Sequence, residues 1–148
     1  MKPLFFIIIS ICMFYITACN SKTTNLYIKT DGGASNQIYN LNKDERLALE
    51  TQSANGSAES AFRLYLYYTF SYFSVDGQMK YLERAASLGD VIAQYSYGTY
   101  LSSPYEVYHK YYDLDKAIHW MRLAAEHGDI MAKTELVRLE ELKKTKIK

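Results

Sequence analysis

A chain of 148 residues has room for one domain and a short appendage. Lysine and arginine total 17 against 16 acids, a formal charge of +1, which argues against a mainly electrostatic nucleic-acid binder. Hydrophobic residues make up 49%, too many for general disorder, and two cysteines cannot build a disulfide scaffold. Tyrosine supplies 15 of the aromatics against 6 phenylalanines and 1 tryptophan, so the fold must use tyrosine in its core, on its surface, or both.

Lys2 precedes an almost unbroken apolar run, Leu4–Ile16. That run is short for a membrane span and suits the core of a signal peptide. It ends in Ile16-Thr17-Ala18-Cys19, which resembles a bacterial lipobox: a branched residue and two small residues before the cysteine that takes the lipid. The resemblance implies a signal peptide over 1–18, lipidation at Cys19 and a mature chain that starts at Cys19 and has no free thiol. Asn20, not Asp, follows the cysteine. This resembles an outer-membrane address in a Gram-negative envelope. Residues 19–40 are rich in Ser, Thr and Asn with no apolar period, and read as a tether.

The remainder, 41–148, repeats itself. Lys80–Leu88 before Gly89-Asp90 matches His119–His127 before Gly128-Asp129, with an Ala-Ala pair in both. Asn55-Gly56 is a third anchor. The interval from Gly89 to Gly128 is somewhat longer than that from Gly56 to Gly89. Four residues after each glycine stand Ser60, Ala93 and Ala132, and eight after stand Leu64, Tyr97 and Leu136. Asn42 with Glu45 predicts a capping box opening a helix over 42–54. The glycines sit where helices stop in the left-handed conformation. Val75-Asp76-Gly77 is expected to be a turn before a Gln78–Leu88 helix. Pro104 ends a helix begun near Val91. Leu114, Ile118, Met121 and Ala125 form one helical stripe, and Ala124 and Ala125 are expected to be buried where helices cross. The fold class is all-α.

Ala93-x3-Tyr97-Gly98-x2-Leu101, followed by Asp113-Leu114-Asp115-Lys116-Ala117-x2-Trp120-x3-Ala124-Ala125-Glu126-x-Gly128, resembles the Sel-one-like repeat, a relative of the tetratricopeptide repeat. The resemblance covers about Gly56–Leu142. It implies a short right-handed α-solenoid of antiparallel helix pairs, with repeats over 57–90 and 91–129, a capping helix over 42–54 and another over 130–143. The first repeat departs from the pattern, with Tyr65 where glycine is preferred and Gly77-Gln78 in place of Lys-Ala. Such domains are scaffolds with concave binding surfaces.

Chemistry-bearing clusters are sparse. His109, Asp113 and Asp115 could ligate a metal, but no second histidine joins them, and Asp113 with Asp115 suits a helix start. His119 aligns with Lys80 on a solvated position, and His127 lies at a helix C-terminus, where its charge would complement the dipole. Nucleophile, phosphate-loop and HExxH motifs are missing. Acids such as Glu140 pair with lysines such as Lys144 at helical spacing. Neither enzyme activity, nor a metal, nor a cofactor is expected.

The second repeat is six residues longer than the first, and the excess falls in Pro104–Asp113. This loop holds Tyr105, Tyr108, Tyr111 and Tyr112 beside His109. Tyrosine offers contact area and a hydroxyl at small entropic cost, so these five are candidate partner-binding residues. Tyr67, Tyr72 and Tyr100 form a second candidate surface, whereas Tyr68, Tyr81, Tyr97 and Trp120 are assigned to the core.

Together these readings point to a periplasm-facing lipoprotein, monomeric when free, that binds another protein and meets the membrane through its lipid alone. Its resemblance to small lipidated Sel-one-like proteins implies an immunity protein that blocks a phospholipase effector of type VI secretion. An envelope scaffold, or a glycan-binding or hydrolase protein, is the alternative.

Overall fold

A computed structural model describes residues 39–146. The expected signal peptide over 1–18, Cys19 and all but the end of the expected tether over 19–40 lie outside the described residues.

Asn42 begins the first helix as its sequence requires. Its Oδ1 accepts from the Asp44 and Glu45 amides at 2.9 Å, and its own amide donates to Glu45 Oε2 at 2.8 Å. The chain then forms α1 (Lys43–Ala54), α2 (Ala58–Phe70), α3 (Val75–Ser87), α4 (Val91–Leu101), a 3₁₀ helix (Glu106–Tyr111), α5 (Leu114–Glu126) and α6 (Ile130–Lys146). Among the described residues there is no strand. Each α-helix packs on the next in the chain, an order consistent with helical repeats.

Three turns are built alike. Gly56, Gly89 and Gly128 have φ of 98°, 92° and 96°, a conformation a side chain would strain. The residue after each glycine caps the next helix: Ser57, Asp90 and Asp129 accept from the amides of Ser60, Ala93 and Ala132 at 3.1, 2.8 and 2.8 Å. Backbone bonds close all three turns the same way, as in Gly89 N to Ala86 O and Asp90 N to Ala85 O, both 3.1 Å. Free helix-end groups are thereby satisfied within one short stretch of sequence.

The core recurs with the same spacing. Ser60, Ala93 and Ala132 are buried, as are the pairs Met79 and Ile118, Leu82 and Met121, and Ala85 and Ala124. Small residues let neighbouring helices approach, and one leucine or methionine per turn fills the space. Tyr81 and Tyr97 are buried, as expected. Tyr68 and Trp120, assigned to the core, are half-buried and pack on it from its edge, and Ala125, expected to be buried, is half-buried there too.

Three further expectations give way. Val75-Asp76-Gly77 is the first turn of α3, because Ser74 Oγ accepts from the Gly77 amide at 3.2 Å and starts the helix there. Gly77 serves contact: a Cβ there would stand 2.4 Å from Tyr68 Cδ1. The expected loop Pro104–Asp113 contains the 3₁₀ helix. Glu140 pairs with Arg122 at 2.8 Å, and Lys144 with Glu141 at 2.7 Å, in place of a Glu140–Lys144 pair.

Candidate functional site

Pro104 cannot continue α4, so the chain turns out at Ser102-Ser103 and condenses into the 3₁₀ helix. Three side chains fasten this segment to α3. Tyr108 and Gln78 exchange hydrogen bonds, Gln78 Nε2 donating at 3.3 Å. Tyr111 donates to Asp76 Oδ1 at 2.6 Å, and Lys110 pairs with the same carboxylate. Hydrogen bonds from Lys110 first and Tyr111 second hold the Asp76 carboxyl below the usual carboxylate range. Tyr100 lies beneath, its ring 4.7 Å from that of Tyr108. Burial first, with the neighbouring Tyr65 hydroxyl of α2 second, pushes the Tyr100 hydroxyl up to about 12.

The fastening sorts the five candidate residues. Tyr108 and Tyr111 are half-buried and tie the segment down. Tyr105 is 71% exposed, and Tyr112, His109 and Val107 also face solvent. Tyr112 accepts a hydrogen bond from Lys146 at 2.6 Å, reaching α6. Between segment and α6 lies a cleft of about 650 Å³ lined by Ser102, Ser103, Pro104, His109, Tyr112, Arg138, Leu142 and Lys146. A second hollow of about 460 Å³ shares Ser102, Ser103, Pro104 and Arg138 with it, and adds Thr99, Tyr100, Tyr105, Tyr108 and Glu135. Sequence reading misses Gln78, Asp76, Arg138 and Lys146, which lie far along the chain from the segment they meet and carry no local signal.

The second candidate surface divides. Tyr67 and Tyr72 stack at 6.0 Å, with Tyr68 edge-on to both. Tyr67 and Tyr68 lie in the last turn of α2 and Tyr72 in the connection to α3, whereas Tyr100 belongs to the ring set under the 3₁₀ helix. Beside them Phe73 has φ 53°, a left-handed value that is an outlier for so bulky a side chain.

The three ligand-type residues also part. Asp113 caps α5 through the Lys116 amide at 3.0 Å, Asp115 pairs with Lys143 at 2.6 Å, and His109 Nε2 lies 3.3 Å from Pro104 O. Among the described residues no group of three or more His, Cys, Asp or Glu could hold a metal ion. His127 is exposed at the α5 terminus and its Nδ1 meets Gln94 Oε1 at 3.0 Å.

Over 112 residues, 76% of this chain and 73% of the relative, the sequence is 39% identical to YibG of Escherichia coli strain K12, a protein described as uncharacterized. The chain belongs to the YibG family. No protein-family profile matches it, and no solved structure matches it. For this YibG-family chain, the arrangement offers contact chemistry. It has a fixed aromatic ridge, a cleft with the cations Arg138 and Lys146, and hydroxyls from two serines and a tyrosine.

Proposed function

We propose that this protein is a protein-binding module, built as a short α-solenoid of Sel-one-like repeats and carried on a lipid-anchored chain in the bacterial envelope. Its binding site is the 3₁₀ segment with the cleft against α6. One observation carries the reading. The segment is tied to α3 by Tyr108 and Tyr111, yet leaves Tyr105, Val107 and Tyr112 outside, beside a hollow. Exposed aromatics on a pre-ordered support lose little entropy on binding and make good anchors. The recurring turns, caps and buried alanines support the solenoid reading.

Within this reading the specific role is an immunity protein that occludes a secreted phospholipase at the membrane. A relative in Escherichia coli is compatible with a two-membrane envelope. No helix of the described residues is long and apolar enough to cross a membrane, and in this reading the lipid on Cys19 is the attachment. Affinity capture from envelope extracts with the full chain tests the proposal. Tyr105→Ala and Tyr112→Ala are expected to weaken capture by about 2 kcal/mol each where the ring is an anchor, with melting unchanged. Capture of the same partner at wild-type affinity by both variants places the site elsewhere.

A further inference from the structure

We infer that the tip of the α2–α3 hairpin is a membrane-contacting surface whose ligand is the headgroup–acyl boundary of the bilayer. Phe70, Tyr72 and Phe73 are 49%, 64% and 78% exposed, three large aromatic side chains on one turn. Phe73 is also the one non-glycine residue at positive φ among those described. The other positive-φ positions are glycines, which adopt that conformation without strain. Here a positive φ is carried by a phenylalanine whose ring stands in water, so neither the preference of such a turn for glycine nor core packing accounts for the side chain. Strain kept at an exposed aromatic points to a surface that is covered in use.

Two features favour a bilayer as the covering surface. The first is size and chemistry. A standard protein interface takes about 800 Å² from each partner, more than one turn can offer. Phenylalanine beside tyrosine suits the interface, with rings among the upper acyl chains and hydroxyls among headgroups. The second is where the chain enters. Ser71 Oγ donates to Tyr39 O at 2.7 Å, and the Tyr39 ring lies 4.7 Å from that of Phe70. The first described residue, on the Cys19 side of the domain in sequence, therefore sits at this tip. Fully extended, the stretch from Cys19 to Tyr39 spans at most ~70 Å. Asp76, in the adjoining turn, has its charge countered by Lys110. An anchored chain needs little added affinity to dock, because its effective concentration is already high. This proposal rests on the lipoprotein reading of Cys19.

The test uses the full chain, purified from membranes of a host that processes lipoproteins. It is reconstituted into phosphatidylethanolamine–phosphatidylglycerol vesicles with brominated acyl chains. In a Trp120→Phe background, Phe73→Trp is expected to emit blue-shifted and to be quenched, whereas Val107→Trp is not. If the chain floats with the vesicles but the tryptophan at 73 is unquenched, the anchor stands and the docking proposal fails. If the chain does not float and Cys19 carries no lipid mass, the lipoprotein reading falls and the proposal with it. A second pair guards against a folding artefact. With Tyr72→Trp as probe, adding Phe73→Gly is expected to lower quenching severalfold while the melting temperature holds or rises. A lower melting temperature would show that Phe73 serves the fold. Loss of a soluble protein partner in Phe73→Ala, with no lipid quenching at 73, would make the tip a protein surface. Either result overturns the proposal.

Discussion

Gly77 and Ala124 show how single atoms decide this packing. A helix-interior glycine replaced by alanine ordinarily gains up to ~1 kcal/mol in propensity. At Gly77 the added methyl would meet the near edge of the Tyr68 ring at 2.4–2.8 Å, and that ring stacks on Tyr81 at 5.4 Å. Gly77→Ala is therefore expected to destabilise the domain by about 1–2 kcal/mol, read from chemical denaturation. Ala124 is fully buried. Ala124→Leu should cost about 1–3 kcal/mol by overpacking, and an unchanged midpoint would mean that the α5 contact has room. Phe73→Gly should move the other way, because the left-handed conformation no longer carries a Cβ.

The 3₁₀ helix is the element whose order depends most on distant side chains. Six residues with no buried member cannot hold a conformation by propensity. The bonds to Asp76 and Gln78 supply the difference. Asp76→Asn removes the charge that Lys110 and Tyr111 share, and is expected to raise hydrogen exchange in Glu106–Tyr111 while leaving α2 and α5 protected. The same clasp responds to acid. Because the Asp76 carboxyl is held low, its contribution is present above the ordinary carboxylate range and lost as pH falls through its depressed value. Exchange in the segment should rise there before the helices melt.

Across the molecule, tyrosines in the core and packed against it set an alkaline limit. Burial foremost, with Glu50 nearby, pushes Tyr81 up to about 12, and burial pushes Tyr100 to about 12 as well. A raised phenol favours the folded state fully below its unfolded value near 10. That advantage is lost as pH rises toward 12. Helicity is expected to fall across this window together with a late phenolate absorbance, and Tyr100→Phe should remove part of that absorbance. Much of this architecture was legible in the sequence because its signals are local. Glycine, cap and alanine pair fall close together in the chain, and their spacing repeats. The site was legible only as an aromatic excess. Which tyrosines fasten and which stand free depends on Asp76 and Gln78, a whole repeat upstream, and on α6 downstream. The start of α3 was misread because Gly77 looks like a turn until Tyr68 is placed against it.

The direction of the clasp matters while the protein is being made. Asp76 and Gln78 precede the segment they hold, so a chain growing from its N-terminus has already released both anchors, with α2 and α3, when Tyr108 and Tyr111 emerge. The ridge can be set before α6 exists. The cleft has to wait, since Arg138, Leu142 and Lys146 form its far wall. A nascent chain would thus present its aromatic ridge early and its complete site only once α6 has emerged and docked.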